Sequence, residues 1–142
     1  MHTVSSILSR KGNTAVSVSP DTTVIDALRI MAEKNIGSVV VSEGSNYLGI
    51  MTERDYSRKV VLKEKHSAST KVSEIMSTDL PVVSPSDSID HCMKLMTDNN
   101  IRYMPVFSNG SLAGIISMSD VVKETILIQK ETIQQLESYI RQ

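Results

Sequence analysis

Two seven-residue stretches hold the residue types best suited to chemistry. They are Gly49-Ile50-Met51-Thr52-Glu53-Arg54-Asp55 and Gly114-Ile115-Ile116-Ser117-Met118-Ser119-Asp120, each reading glycine, two apolar residues, a hydroxyl, two variable positions and an aspartate. A hydroxyl three residues before an acid matches a helix capping box, in which the two side chains satisfy free backbone N–H groups at a helix start. The same pattern suits an anion cradle. Free N–H groups and the helix dipole favour a phosphate, the hydroxyl adds a donor, and the carboxylate accepts two hydrogen bonds from a ribose diol. Glycine ahead of the apolar pair removes bulk where a ligand approaches. A single copy is best explained as a cap, but the same pattern in corresponding places favours a ligand.

Those places are set by a repeat. An offset of 65 aligns Val18-Ser19-Pro20 with Val83-Ser84-Pro85, Met31 with Met96, Asn35-Ile36 with Asn100-Ile101, and Asp55 with Asp120. A register held this long signals duplication. Ahead of the first proline the offset becomes 68, matching Val4 to Ser9 with Val72 to Ser77, so the first copy carries three extra residues around Arg10 to Thr14. Each copy starts with a short helix-like segment and an extended run into Ser-Pro, where proline stops any helix. Asp21-Thr22 and Ser86-Asp87 then offer caps for helices with apolar stripes at Val24, Ala27, Leu28 and Met31, and at Ile89, Cys92, Met93 and Met96. The methionines and Cys92 are read as core. Two hairpins are expected, 37–42 with 47–52 and 102–107 with 111–117, with Asn109-Gly110 a turn and Pro105 best placed near an edge or strand start. A last helix follows in each copy, at about 54–64 and from about 119 onward.

Composition narrows the class. The chain has 142 residues, 40% hydrophobic and 22% charged, enough for one compact unit or two half-domains sharing a core. A net charge of -1 disfavours nucleic acid and anionic membrane partners. No apolar run approaches membrane-spanning length, which leads to an expected cytoplasmic location. A lone cysteine excludes an intrachain disulfide or thiolate metal cage. His2, His66 and His91 lack ligand spacing, and there is no Gly-rich Lys-Ser/Thr loop and no nucleophile beside a base, so neither a catalytic nor a metal site is expected.

The strand-helix-strand-strand-helix repeat, the segment Ile101-Arg102-Tyr103-Met104-Pro105-Val106 and the paired Gly-to-Asp motifs together resemble a tandem pair of CBS (cystathionine beta-synthase type) motifs, a Bateman module. The resemblance implies an α+β fold of two β-α-β-β-α motifs packed through small sheets around a pseudo-twofold axis. Motif 1 would span residues 1–65 with its core at about 14–64. Motif 2 would span 66–142 with its core at about 78–125 and a C-terminal helix at about 119–141. The implied function is non-catalytic: binding of AMP, ADP, ATP or NAD in clefts between the motifs, with no required cofactor, as a sensor acting on an unidentified effector protein. A homodimer is also implied, and the apolar positions from Val121 to Ile140 add surface to it.

By the same resemblance Thr52 and Ser117 contact phosphate or ribose, and Asp55 and Asp120 hold ribose. Thr14 to Val16 with Ile36-Gly37 flank adenine in one cleft, Thr78 to Pro81 with Ile101-Arg102 in the other, and Ser119 adds a phosphate contact. The clefts are expected to differ. Arg102, supplied by the other motif, and Arg54 bring cations to Asp55, with Arg58 and Lys59 one turn further on for an extended phosphate chain, while Asp120 has little positive charge nearby; a solvated helix face is the alternative for Arg58 and Lys59 and the preferred reading for Lys59. Two rivals stay open: a structural dimerisation module whose Thr/Ser-Asp pairs are only caps, and a nucleotide-processing enzyme.

Overall fold

The computed structural model describes residues 2–12 and 15–141. Its elements run α1 (Val4–Lys11), β1 (Ser17–Val18), α2 (Val24–Lys34), β2 (Ser38–Glu43), β3 (Asn46–Thr52), α3 (Glu53–Tyr56) continued by a π-helical turn (Ser57–Val61), a 3-10 turn (Val72–Glu74), α4 (Ile89–Asn99), β4 (Tyr103–Ser108), β5 (Ser111–Ser117) and α5 (Met118–Arg141). The chain divides into two compact units. One is Ala15–Leu80; the other joins Pro81–Gln142 to the N-terminal segment that contains α1.

Each unit repeats one design. In the Ala15–Leu80 unit, β1 pairs parallel with β2, and β2 pairs antiparallel with β3. In the other unit β4 pairs with β5, and Val83 alone, bridged in parallel to Val106, stands where β1 stands in the first. The period-2 pattern of Val39, Val41 and Met51, and of Met104, Val106 and Ile116, turns one sheet face onto α2 or α4. Both helices end at an asparagine in the left-handed region, Asn35 and Asn100, a conformation Asn tolerates better than most residues. Their N-caps are Thr23 and Ser88, not the expected Asp21-Thr22 and Ser86-Asp87. The Asp87 carboxylate is engaged earlier, accepting from the Ser84 N–H at 2.7 Å to close the preceding turn.

Pro105 lies in the middle of β4 and is buried, away from the expected strand start. Its carbonyl accepts from the Val83 N–H, so its nitrogen also faces the Val83 side and removes no bond from the β5 ladder. Asn109 and Gly110 both take positive φ, 53° and 79°, as the tight hairpin turn demands.

The compact units do not coincide with the sequence repeats, because each copy's leading segment packs with the other copy. Val4 and Ser5 of α1 donate backbone N–H bonds to Asp87 and Pro85, and Val4, Ile7 and Leu8 join the core with Cys92, Met96 and Met104. Correspondingly, Val72 and Ser73 donate to Thr22 and Pro20, and Val72 and Ile75 join the core with Val24, Ala27 and Met51. The leading segments also differ in length. α1 holds for 8 residues, while the second copy's segment leaves its helical turn after Glu74, because Ser77 exchanges two backbone bonds with Ile50, at 2.8 and 3.0 Å. In the first copy Arg10 and Lys11 continue α1 beyond the matched residues, where the second copy already runs extended.

Candidate functional site

The two Gly-to-Asp motifs form equivalent loops, one per unit, where a hairpin strand hands over to a helix. In the Ala15–Leu80 unit the Glu53 N–H donates to the Gly37 carbonyl at 3.2 Å, and in the other the Met118 N–H donates to the Arg102 carbonyl at 2.8 Å. This bond ties the start of β2 or β4 to the helix N-terminus and consumes one of its free donors. Both hydroxyl-acid pairs form complete capping boxes. Thr52 N–H reaches Asp55 Oδ2 at 2.9 Å and Asp55 N–H reaches Thr52 Oγ1 at 3.1 Å; Ser117 N–H reaches Asp120 Oδ2 at 2.8 Å and Asp120 N–H reaches Ser117 Oγ at 3.1 Å.

Beyond the caps the loops diverge. Asp55 is 5% exposed, and its Oδ1 accepts from Ser77 Oγ and pairs with Lys59 Nζ, each at 2.9 Å, while Oδ2 also accepts from the Thr52 hydroxyl at 3.1 Å. Both of its oxygens are engaged by its own unit. Asp120 keeps 18% side-chain exposure; Lys11 of α1 pairs with its Oδ2 at 2.8 Å, and among the described residues its Oδ1 has no partner. Burial pushes the Asp120 carboxyl up, but the Lys11 hydrogen bond and charge and the Ser117 bonds together hold it below its ordinary value. It is a carboxylate at neutral pH.

Lysines are the residues the sequence reading missed. Lys59, assigned to a solvated face, instead donates to the Ile75 carbonyl at 2.9 Å as well as pairing with Asp55. Its four-residue spacing from Asp55 was the available signal. Lys11 donates to the Ile115 carbonyl at 2.9 Å besides Asp120, so the expectation of little positive charge near Asp120 is corrected. Lys11 lies in the stretch by which the first copy exceeds the second; nothing local to Asp120 marks it. The role given to the motif glycines is also corrected. A Cβ on Gly49 would sit 2.6 Å from the Ser77 carbonyl oxygen, and one on Gly114 would sit 2.9 Å from Leu8 Cδ2, so both positions admit the other copy's leading segment.

The remaining expected site residues fall as follows. In the Ala15–Leu80 unit the Val16 carbonyl accepts from the Val40 N–H, Ile36 packs on the core, Arg54 is half-buried on α3, and Thr78 is exposed just past the Ser77 bridge. In the other, Pro81 is half-buried, and Arg102 and Ser119 are exposed, Ser119 one residue inside α5. Thr14 lies outside the described residues. Among the described residues no cluster of three or more His, Cys, Asp or Glu side chains is placed to hold a metal ion, and no helix is long and apolar enough to cross a membrane.

Comparison with known proteins agrees with this architecture. The family model for the CBS domain matches twice, over residues 4–62 and 72–126. The mitochondrial CBS domain-containing protein CBSX3 of Arabidopsis thaliana is 37% identical over 98% of this chain and 72% of its own length. A CBS-domain protein structure from Burkholderia ambifaria is 46% identical with a TM-score of 0.84, covering 88% of this chain and 94% of that one. The CBS domain pair of a protein crystallised with 5'-methylthioadenosine and S-adenosyl-L-methionine superposes with a TM-score of 0.74 at 21% identity, over 85% of this chain and 97% of that one, a likeness of fold. With two family matches on two copies of one α+β design, the chain belongs to the CBS-domain family and is a tandem CBS pair, a regulatory module.

Proposed function

We propose that this tandem pair binds adenine nucleotides, AMP, ADP, ATP or NAD, at its two strand-to-helix loops and, without catalysing a reaction, passes that signal to an effector protein. The observation that carries the reading is the Asp120 loop: an ionised carboxylate with one oxygen unengaged among the described residues, a lysine beside it, and a hydroxyl at a helix N-terminus. A ribose diol donates to such a carboxylate, and Lys11 with Ser119 suits the phosphate. The adenosyl ligands named for one solved CBS pair support the same ligand class. Asp55 is the second site. A ribose there competes with Ser77 and Lys59 for the carboxylate, so the Asp120 loop binds first, and Arg54 serves the phosphates of a ligand at Asp55. The module works in the cytoplasm as a homodimer or an assembly built from dimers; one solved relative is described as hexameric.

Calorimetric titration with AMP and ATP tests this. Asp120→Ala is expected to weaken the tighter site by at least about tenfold, since hydrogen bonds to a charged acceptor contribute about 1.5–3 kcal/mol each. A second reading, a scaffold whose acids only cap helices, is favoured by the completeness of both capping boxes. It predicts no saturable heat from either nucleotide at millimolar concentration.

A further inference from the structure

α5 continues past the unit that anchors it. Val121 and Glu124 are fully buried and Thr125 and Ile128 half-buried, whereas every residue from 129 to 141 is exposed. An unpacked helical segment of this length is marginal in water. Its surface is nevertheless not uniformly polar. Ile126, Ile133 and Ile140 recur every seven residues with Gln129 and Leu136 three residues after the first two, and the four apolar members are 45%, 54%, 79% and 57% exposed for Ile126, Ile133, Ile140 and Leu136. At about 100° per residue they lie in one stripe about 80° wide, roughly a third of a turn from the face that Val121, Glu124 and Ile128 bury. Apolar residues recurring at a and d make a seam for a partner helix.

The flanking charges select the occupant and its direction. Lys130 and Glu137 hold the e positions, while the g positions are Thr125, Thr132 and Tyr139. In a parallel pair e faces g, and neither charge meets an opposite one. In an antiparallel pair e faces e. Setting Ile133 against Leu136 of a second copy brings Lys130 within about 3 Å along the axis of that copy's Glu137, and the twofold repeats the pair. A shift by one heptad would oppose Lys130 to Lys130. The favoured register overlaps residues 129–140, almost the whole of the segment the unit leaves exposed, and puts Gln129 at the two ends of the seam, where water reaches it.

We propose that this segment is a self-association surface, an antiparallel two-helix seam with a second copy of the chain. The test is sedimentation of the full chain and its variants across micromolar concentrations. Ile133→Asp with Leu136→Asp replaces exposed residues, so an unchanged melting temperature is expected while one association step weakens by at least about tenfold. Lys130→Glu alone weakens the same step at low salt, and adding Glu137→Lys restores it. Association by the double-aspartate variant equal to that of the wild type overturns the proposal, as does failure of the charge swap to restore it, which would mean a parallel seam or a different partner. Nucleotide titration of these variants reads the motif loops separately and is expected to be unchanged.

Discussion

Asp55 and Asp120 stand at the same place in two copies of one design, yet one is sealed and the other open. The difference starts with what fills the space beside β3 and β5. In the Ala15–Leu80 unit the leading segment leaves its helical turn early, and its backbone closes on Ile50, with the Ser77 N–H taking the Ile50 carbonyl and the Ser77 hydroxyl taking Asp55. In the other unit α1 stays helical, and a flexible ammonium, Lys11, takes both the Ile115 carbonyl and Asp120. A backbone bridge has been exchanged for a lysine. A duplicated motif therefore need not mean duplicated surroundings: the connecting segments set how far each carboxylate is enclosed.

The sharpest way to break the comparison is to remove each carboxylate. Asp55→Ala leaves Lys59, Ser77 and a Thr52 N–H without their acceptor in a nearly buried site and is expected to cost about 3 kcal/mol, against about 1 kcal/mol for Asp120→Ala, mainly a lost cap. Urea denaturation of the two variants measures the gap, and equal losses would mean the loops are energetically alike. Next come the glycines. Gly49→Ala sets a Cβ against backbone at Ser77 and is expected to cost about 2 kcal/mol, whereas Gly114→Ala meets the tip of the Leu8 side chain, which can rotate, and costs less than about 1 kcal/mol.

A smaller effect separates the loops by pH. The Asp120 carboxyl is held below its ordinary value, so the stability it contributes is present above the ordinary carboxylate range and lost as pH falls through its lowered folded value. Lys11→Met removes much of that shift. The variant should be less stable than the wild type by about 0.5–1 kcal/mol near neutral pH, with the two melting curves converging in acid. A gap that widens on acidification would contradict the assignment. The smallest effect concerns Cys92, whose thiol burial, aided by Asp87, pushes up to about 11. Its folded value exceeds the unfolded one, so the associated stability is intact below the unfolded value of 9.0 and lost as pH rises towards about 11. Alkylation at pH 8 should be slow in the native protein and fast in denaturant.

Much of this was legible in the sequence. The offset of 65 carried the helices, both hairpins and both capping boxes, because each is set by residues within a few positions of one another; Asn35 and Asn100 were aligned by it without being read as helix ends. What escaped is long-range or geometric. Lys11 and Asp120 lie 109 residues apart, and no periodicity joins them. The fate of the Val72 segment turned on competition between helical bonds and a bridge to Ile50, and a sequence pattern does not rank the two. The π-helical turn at Ser57–Val61, which ends with the Leu62 N–H on the Ser57 carbonyl, has no composition cue either. The motif glycines were correctly singled out but for the wrong neighbour, since glycine marks close approach without saying of what.

The exchange of leading segments also sets an order of assembly during synthesis. Ala15–Leu80 is contiguous and holds every residue of its own core as soon as residue 80 has left the ribosome. The other unit cannot close until β5 and the start of α5 emerge, so α1, made first, waits for partners more than 100 residues downstream: Ile115 and Asp120 for Lys11, Glu124 for Arg10 and His2. Contacts of such separation are slow to form, and until then the apolar face of Val4, Ile7 and Leu8 is open. Pulse proteolysis of ribosome-arrested chains should find the middle of the protein protected first and its N-terminus last; early protection of α1 would refute that order.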